Sequence, residues 1–256
     1  MCRQGKGVRQ RQRATTPERT SLTAAGPEIP WTTVHRHVFR LQKRMDQAPP
    51  RGAVRTVRQL QTLVSKSWSA RLFAVRRGTQ DNRGRYTAGM EGVKALHPPQ
   101  RVRLAHELTL DDTATPRSRL GLPKRGTPDK RPLGVPTLHA RARQTVVRQA
   151  LAPEWAAKRA GHFYGWRPGR ACWDASAAVC QRSKCRPQHL LKGAMAQCFD
   201  RLEHPALLAP LPAPPGIRRH VRGGLRSGRL EADTRSPASA GTPQGESVSP
   251  WLALLA

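Results

Sequence analysis

The sequence predicts an α+β fold, and three patterns predict it: two apolar stripes at helical spacing, a pair of short strands about a polar turn, and a further helix after them. The first stripe is Trp31, Val34, Val38, Leu41 and Met45, three and four residues apart, so these side chains share one helix face. Ala48-Pro49-Pro50 ends that helix, because proline cannot continue it. Val54, Val57, Leu60, Val64, Trp68 and Leu72 repeat the pattern and predict a second helix through Leu72. Both stripes read as core. The intervening positions are basic: Arg36, Arg40, Lys43 and Arg44 in the first helix, and Arg55, Arg58, Lys66 and Arg71 in the second.

The remaining elements follow from local signals. Thr79 to Gly92 reads as a loop, with Asn82, Gly84, Gly89 and Gly92. Pro98-Pro99 starts a short helix through Leu108. Leu120 to Pro136 holds the two strands, around the turn Lys124 to Asp129. His139 to Trp155 is a helix that turns Val146, Val147, Ala150 and Leu151 inward, and Cys172 to Cys180 is another. Leu190 to Phe199 is expected to be a strand. Pro205 to Ser239 is rich in Pro, Gly and Arg, with one helix near Ile217 to Leu225, and Trp251 to Ala256 is an apolar stub. Residues 1–30, rich in Arg, Gln, Thr and Gly, are expected to form a disordered basic arm.

Charge bounds the function. Lys plus Arg number 46 against 16 Asp plus Glu, a net +30. A chain so charged repels itself and favours a polyanion, most often nucleic acid. No run is apolar and long enough to span a bilayer, no signal peptide pattern is present, and no membrane partner is expected; the expected compartment is the cytoplasm. With 37% hydrophobic residues, part of the chain is expected to be poorly packed. Cys2, Cys172, Cys180, Cys185 and Cys198 are an odd set without paired spacing, which argues for reduced thiols rather than disulfides or a zinc site.

Several motifs are specific. Trp31 to Arg44, Ser69 to Arg77, Thr79-Gln-Asp-Asn-Arg-Gly84 and Thr87-Ala-Gly-Met-Glu-Gly92 are followed by Lys130-Arg-Pro-Leu-Gly-Val-Pro-Thr137. Then come Tyr164-Gly-Trp-Arg-Pro-Gly-Arg170, Cys198-Phe-Asp200 and Gly241-Thr-Pro-Gln-Gly245 with Ser249-Pro250. In this order and at this spacing they resemble the group II intron reverse transcriptase/maturase family, over roughly residues 31–256, with Glu91 where the family usually carries Asp. The resemblance implies part of a right-hand polymerase. Residues 31–110 would be the N-terminal helical extension, and 111–256 the fingers with an incomplete palm.

The resemblance also assigns roles. Lys124 and Arg131 would hold the triphosphate of an incoming nucleotide, Phe199 would lie against its sugar, and Gln244 would line its pocket; surface charge, core packing and a simple turn are the bland alternatives. The RNA-gripping set would be Arg36, Arg40, Lys43, Arg44, Arg55, Arg58, Lys66, Arg71, Arg76 and Arg77, joined by Arg167 and Arg170. Arg167 and Arg170 could meet a template phosphate or a carboxylate of the fold, and Asp174 is a helical partner for Arg170.

The chain departs from the family where chemistry is done. Nucleotidyl transfer uses two Mg²⁺ ions held by carboxylates. The family's Asp five residues before the Phe is Ala194 here, and Lys192 stands where a second Asp is frequent. No Tyr-Ala-Asp-Asp run occurs before Ala256, so the chain reads as truncated. No metal or other cofactor, and no catalytic residue, is expected. The palm sheet is expected to have an open edge, the tail from Trp251 to lack a partner, and residues 205–256 to be the less ordered part.

The leading expectation is an RNA-binding protein of this family, with group II intron RNA as partner and no polymerase activity. The alternatives are the first part of an active RNA-directed DNA polymerase, a non-enzymatic basic RNA-binding protein, and a gene product with no role.

Overall fold

The computed structural model describes residues 28–48, 52–113, 117–123, 126, 128, 130–159, 161–167, 169–184, 189, 191–231, 234–236, 238–243 and 245–255. The expected basic arm therefore lies, up to residue 27, outside the described residues. The fold is α+β, with helices dominant and one small sheet.

Helix α1 (Trp31–Gln47) buries Val34, Val38, Leu41 and Met45, the stripe read from the sequence, and leaves Trp31 half-buried at its start. The second stripe is split. Helix α2 (Val54–Lys66) stops at Ser67, and α3 (Trp68–Arg76) begins there. Ser67 takes extended backbone, and its hydroxyl accepts a hydrogen bond from Ala70 N at 3.4 Å. An N-capping serine supplies an acceptor to an orphan helix N–H, so it starts a new helix instead of continuing the old one. The corrected reading leaves Val54 and Trp68, both expected inside, exposed.

The expected loop at 79–92 opens helically. Arg77–Asp81 makes one wide helical turn, tied by the Thr79 hydroxyl to Val75 O at 2.8 Å, and Arg83–Tyr86 makes a tight one. Helix α4 (Pro98–Glu107) starts at its two prolines, where the missing N–H costs nothing. Strands β1 (Arg117–Pro123) and β2 (Lys130–Val135) pair antiparallel, with Leu120 opposite Leu133.

Helix α5 (Leu138–Lys158) is the central element. Val146 and Ala142 face α3 and α4, while Val147, Ala150, Leu151 and Trp155 join the main core with α1 and α2. Pro153 lies inside α5 and has no N–H to give the carbonyl of Gln149, four residues back. Gln42 of α1 fills the gap, its Nε2 donating to Gln149 O at 3.2 Å. The side chain of Gln149 in turn donates to Ala70 O at 3.3 Å, so one position ties α5 to both α1 and α3.

The C-terminal part corrects several expectations. Leu190 lies outside the described residues; 191–197 form no strand, and Cys198–Arg201 is a short helix, α7, following α6 (Cys172–Ser183). Gln197 takes a left-handed φ of 50° just before α7, a conformation that breaks an extended run. Helices α8 (His204–Leu208), α9 (Pro215–Arg226) and α10 (Ser249–Ala253) were expected to be the less ordered region with an unpartnered tail. Instead Leu207, Leu211, Ile217, Val221, Leu225, Trp251 and Leu252 are buried in the main core with α5. Trp251 packs on Trp155, ring centres 5.9 Å apart. The tail finds its partner because α5 is apolar on a second side. Gly223 lets α9 press against the 111–112 segment: a Cβ there would lie 2.5 Å from Asp112 O.

Two unforeseen strands, β3 (Arg229–Glu231) and β4 (Thr234–Ser236), extend the sheet to the order β2-β1-β3-β4, with β1 and β3 parallel. A buried ion pair between Arg117 of β1 and Glu246 locks the sheet to the stretch before α10. Burial pushes the Glu246 carboxyl above its ordinary value, and the Arg117 charge opposes that.

Candidate nucleic-acid interface

The helices sort the basic residues by where they point. On α1, Arg36, Arg40, Lys43 and Arg44 are all exposed, spaced so that they share the face opposite the buried stripe. None of the four has an ion-pair partner among the described residues, so their charges remain open to an anion. Arg55 and Lys66 on α2 are exposed as well.

Other members of the expected RNA-gripping set are held by the protein. Arg58 is half-buried and donates to Glu154 at 2.7 Å and to Gln61 Oε1 at 3.0 Å. Arg71 is half-buried, with its Nε enclosed. The Arg76 guanidinium lies 4.4 Å over the Trp31 ring and 3.5 Å from Asp81. Arg77 is exposed, 6.0 Å from the Phe73 ring. Arg167 is half-buried; Arg170 is exposed and lies 5.5 Å over the Tyr164 ring. Asp174 does not pair with Arg170: its carboxylate accepts from Ala171 N at 2.6 Å and caps α6.

The residues assigned to a nucleotide pocket divide. Lys124 and Gln244 lie outside the described residues, as does the side chain of Arg131. Phe199 is half-buried on α7, and its carbonyl accepts from Thr242 N at 2.6 Å. Gly241 N donates to Leu202 O at 2.7 Å, and His204 Nε2 lies 2.9 Å from Gly241 O. The Cys198-Phe-Asp200 and Gly241-Thr-Pro243 segments are thus docked on each other, although far apart in sequence. Ala194, and Lys192 two residues before it, are exposed. A methyl group offers no lone pair and an ammonium repels a cation, so these positions do not fit a carboxylate site for Mg²⁺. Among the described residues no three His, Cys, Asp or Glu side chains gather to hold a metal.

Sequence reasoning missed a cleft of about 150 Å³. Its wall is built from the 77–87 turns, the end of β2, the first half of α5 and the Gly245 to Ser247 stretch. Arg141 shapes it by donating to Pro136 O, Gly84 O and Thr87 O at 2.9, 2.8 and 2.7 Å. Glu91, the residue that departs from the family's Asp, accepts from Leu138 N at 2.8 Å and caps α5 beside the Thr137 cap. Arg148 on α5 also lines the cleft. The signal for it was a cation within a largely apolar helical stretch, Val146 to Leu151.

Parts of this sequence are similar to known proteins. Residues 27–108 match the N-terminal domain of reverse transcriptase, and residues 122–256 match reverse transcriptase (RNA-dependent DNA polymerase). Protein YkfC of Escherichia coli (strain K12) is 26% identical over 219 residues, 78% of this chain and 55% of that protein. The group II intron-encoded protein LtrA of Lactococcus lactis subsp. cremoris is 28% identical over 141 residues, 54% of this chain and 23% of LtrA. The uncharacterized 91 kDa protein in cob intron of Schizosaccharomyces pombe is 30% identical over 128 residues, 48% of this chain and 16% of that protein. The chain spans about half the length of the first of these relatives and under a quarter of the other two. No described helix is long and apolar enough to cross a membrane.

Proposed function

The chain belongs to the reverse transcriptase family, of the kind encoded by group II introns, and we propose that it binds RNA and does not polymerise DNA. The observation that carries RNA binding is the α1 face: Arg36, Arg40, Lys43 and Arg44 are exposed and unpaired on a helix fixed by its buried side. Phosphates bound there would release counterions, which gives affinity without sequence preference. The likeness to a group II intron-encoded protein favours intron RNA as the partner.

In this reading α1 to α4 form an N-terminal extension, β1 and β2 belong to the fingers, and the docked 198–243 segments begin a palm of the right-hand polymerase type. Inactivity rests on Ala194 and Lys192. The reaction requires carboxylates to hold Mg²⁺, and the positions that would supply them in this part of the chain carry a methyl and an ammonium. Incubation of the purified chain with an RNA template, a primer, deoxynucleotides and Mg²⁺ tests this. The expected result is RNA retained in a salt-sensitive manner and no extended primer; template-dependent DNA product would refute inactivity.

A further inference from the structure

Arg148 is half-buried in the wall of the cleft, with Arg77 and Arg141 lining the same space. Among the described residues no Asp or Glu lines it. Arg141 spends its donors on three backbone carbonyls. Among the described residues Arg148 has no hydrogen-bond or ion-pair partner, although a half-buried guanidinium commonly acquires one. Burial and the neighbouring Arg77 charge both push Arg148 below its ordinary value, the signature of a cation lacking an anion. The Ser247 hydroxyl, on another segment of the lining, is enclosed and also has no partner among the described residues. The Arg148 guanidinium and the Ser247 hydroxyl, each without a partner among the described residues, thus line one cleft.

We propose that this cleft is a phosphate-binding site formed by Arg77 and Arg148, with Ser247 Oγ at its edge, and that a backbone phosphate of bound RNA occupies it. The proposal rests on the RNA-binding reading and gives it a second, internal contact distinct from the α1 face. A planar guanidinium can meet two phosphate oxygens at once, and the hydroxyl can donate to a third. A carboxylate ligand could use the same donors, but the chain's charge selects a polyanion. The cleft lies beside the loop that carries Gly245, so a strand held there would pass the docked 198–243 segments.

The test compares the full chain with Arg148→Gln, Arg148→Lys and Arg77→Gln, using a single-stranded RNA, a nucleoside triphosphate and inorganic phosphate at matched ionic strength. Circular dichroism and melting establish that each variant is folded. Arg77 is exposed, so Arg77→Gln keeps the test open even where Arg148→Gln does not fold. The expected result is RNA binding weakened about tenfold by either Gln variant, with the slope of log K against log salt smaller by about 0.7 per contact, and the slope regained by Arg148→Lys. Folded Gln variants that bind RNA like the wild type, while the wild type binds steeply with salt, would overturn the cleft and leave the RNA reading standing. Arg148-dependent binding of the triphosphate or of phosphate with unchanged RNA affinity would overturn the assignment to the RNA backbone. A wild-type chain that binds no RNA would defeat both.

Discussion

Arg58 on α2 and Glu154 on α5 form an ion pair at 2.7 Å across 96 residues of sequence. Glu154 is 2% exposed and also accepts from Gln61 at 2.8 Å and from Lys158 at 2.7 Å. A residue that sequence placed among RNA contacts is thus a fastener between two helices. Removing one member of a buried pair strands the other, so Glu154→Ala should destabilise the chain by about 3 kcal/mol in urea unfolding.

The same pair fixes a pH dependence. Burial pushes the Glu154 carboxyl up, but the hydrogen bonds and charges of Arg58 and Lys158 outweigh it and hold the group below its ordinary value of 4.5. A depressed folded value means the contribution is complete above the unfolded value and lost as pH falls through the folded one. Melting temperatures should therefore fall below about pH 4.5 more steeply in the wild type than in Glu154→Gln. Parallel curves would contradict this account of the pair.

Gln42 should matter because Pro153 exists. Gln42→Leu leaves the Gln149 carbonyl unsatisfied and should cost about 1–2 kcal/mol. In a Pro153→Ala background residue 153 regains its N–H, and the same substitution should cost less. Equal costs in both backgrounds would separate the two residues.

Trp251→Ala removes a buried ring from its seat on Trp155 and should cost about 3–5 kcal/mol. A loss under about 1 kcal/mol would mean that α10 is not docked on α5.

Gly241→Ala probes the contact between the 198–200 and 241–243 segments. Gly241 has φ +85°, and a Cβ would lie 2.9 Å from Asp200 O. The strain should cost roughly 1–3 kcal/mol and loosen the turn that presents Phe199.

The sequence disclosed what repeats at helical spacing. The α1 stripe, α4, the β1–β2 pair and most of α5 were readable because each carries its own periodicity or turn. The break at Ser67 was hidden because the apolar spacing runs straight through it, and only a side-chain cap interrupts it. The docking of α9 and α10 was hidden because Ile217, Val221 and Trp251 join a core shared with α5, far away in sequence. The α1 cations were legible as an outward face. Arg58 was not separated from them because it too is a cation between apolar stripe positions, and its partner Glu154 lies 96 residues away. The cleft around Arg148 depends on four segments meeting, which no local pattern records.

The most direct test of the central claim is the salt dependence of RNA binding by the wild type and by a variant with Arg36, Arg40, Lys43 and Arg44 all changed to Gln. The wild type should bind with a steep negative slope of log K against log salt, and the variant should lose up to about 0.7 of slope for each contact removed while keeping its melting temperature. A shallow wild-type slope, or a folded variant whose slope and affinity match the wild type, would contradict RNA binding through the α1 face.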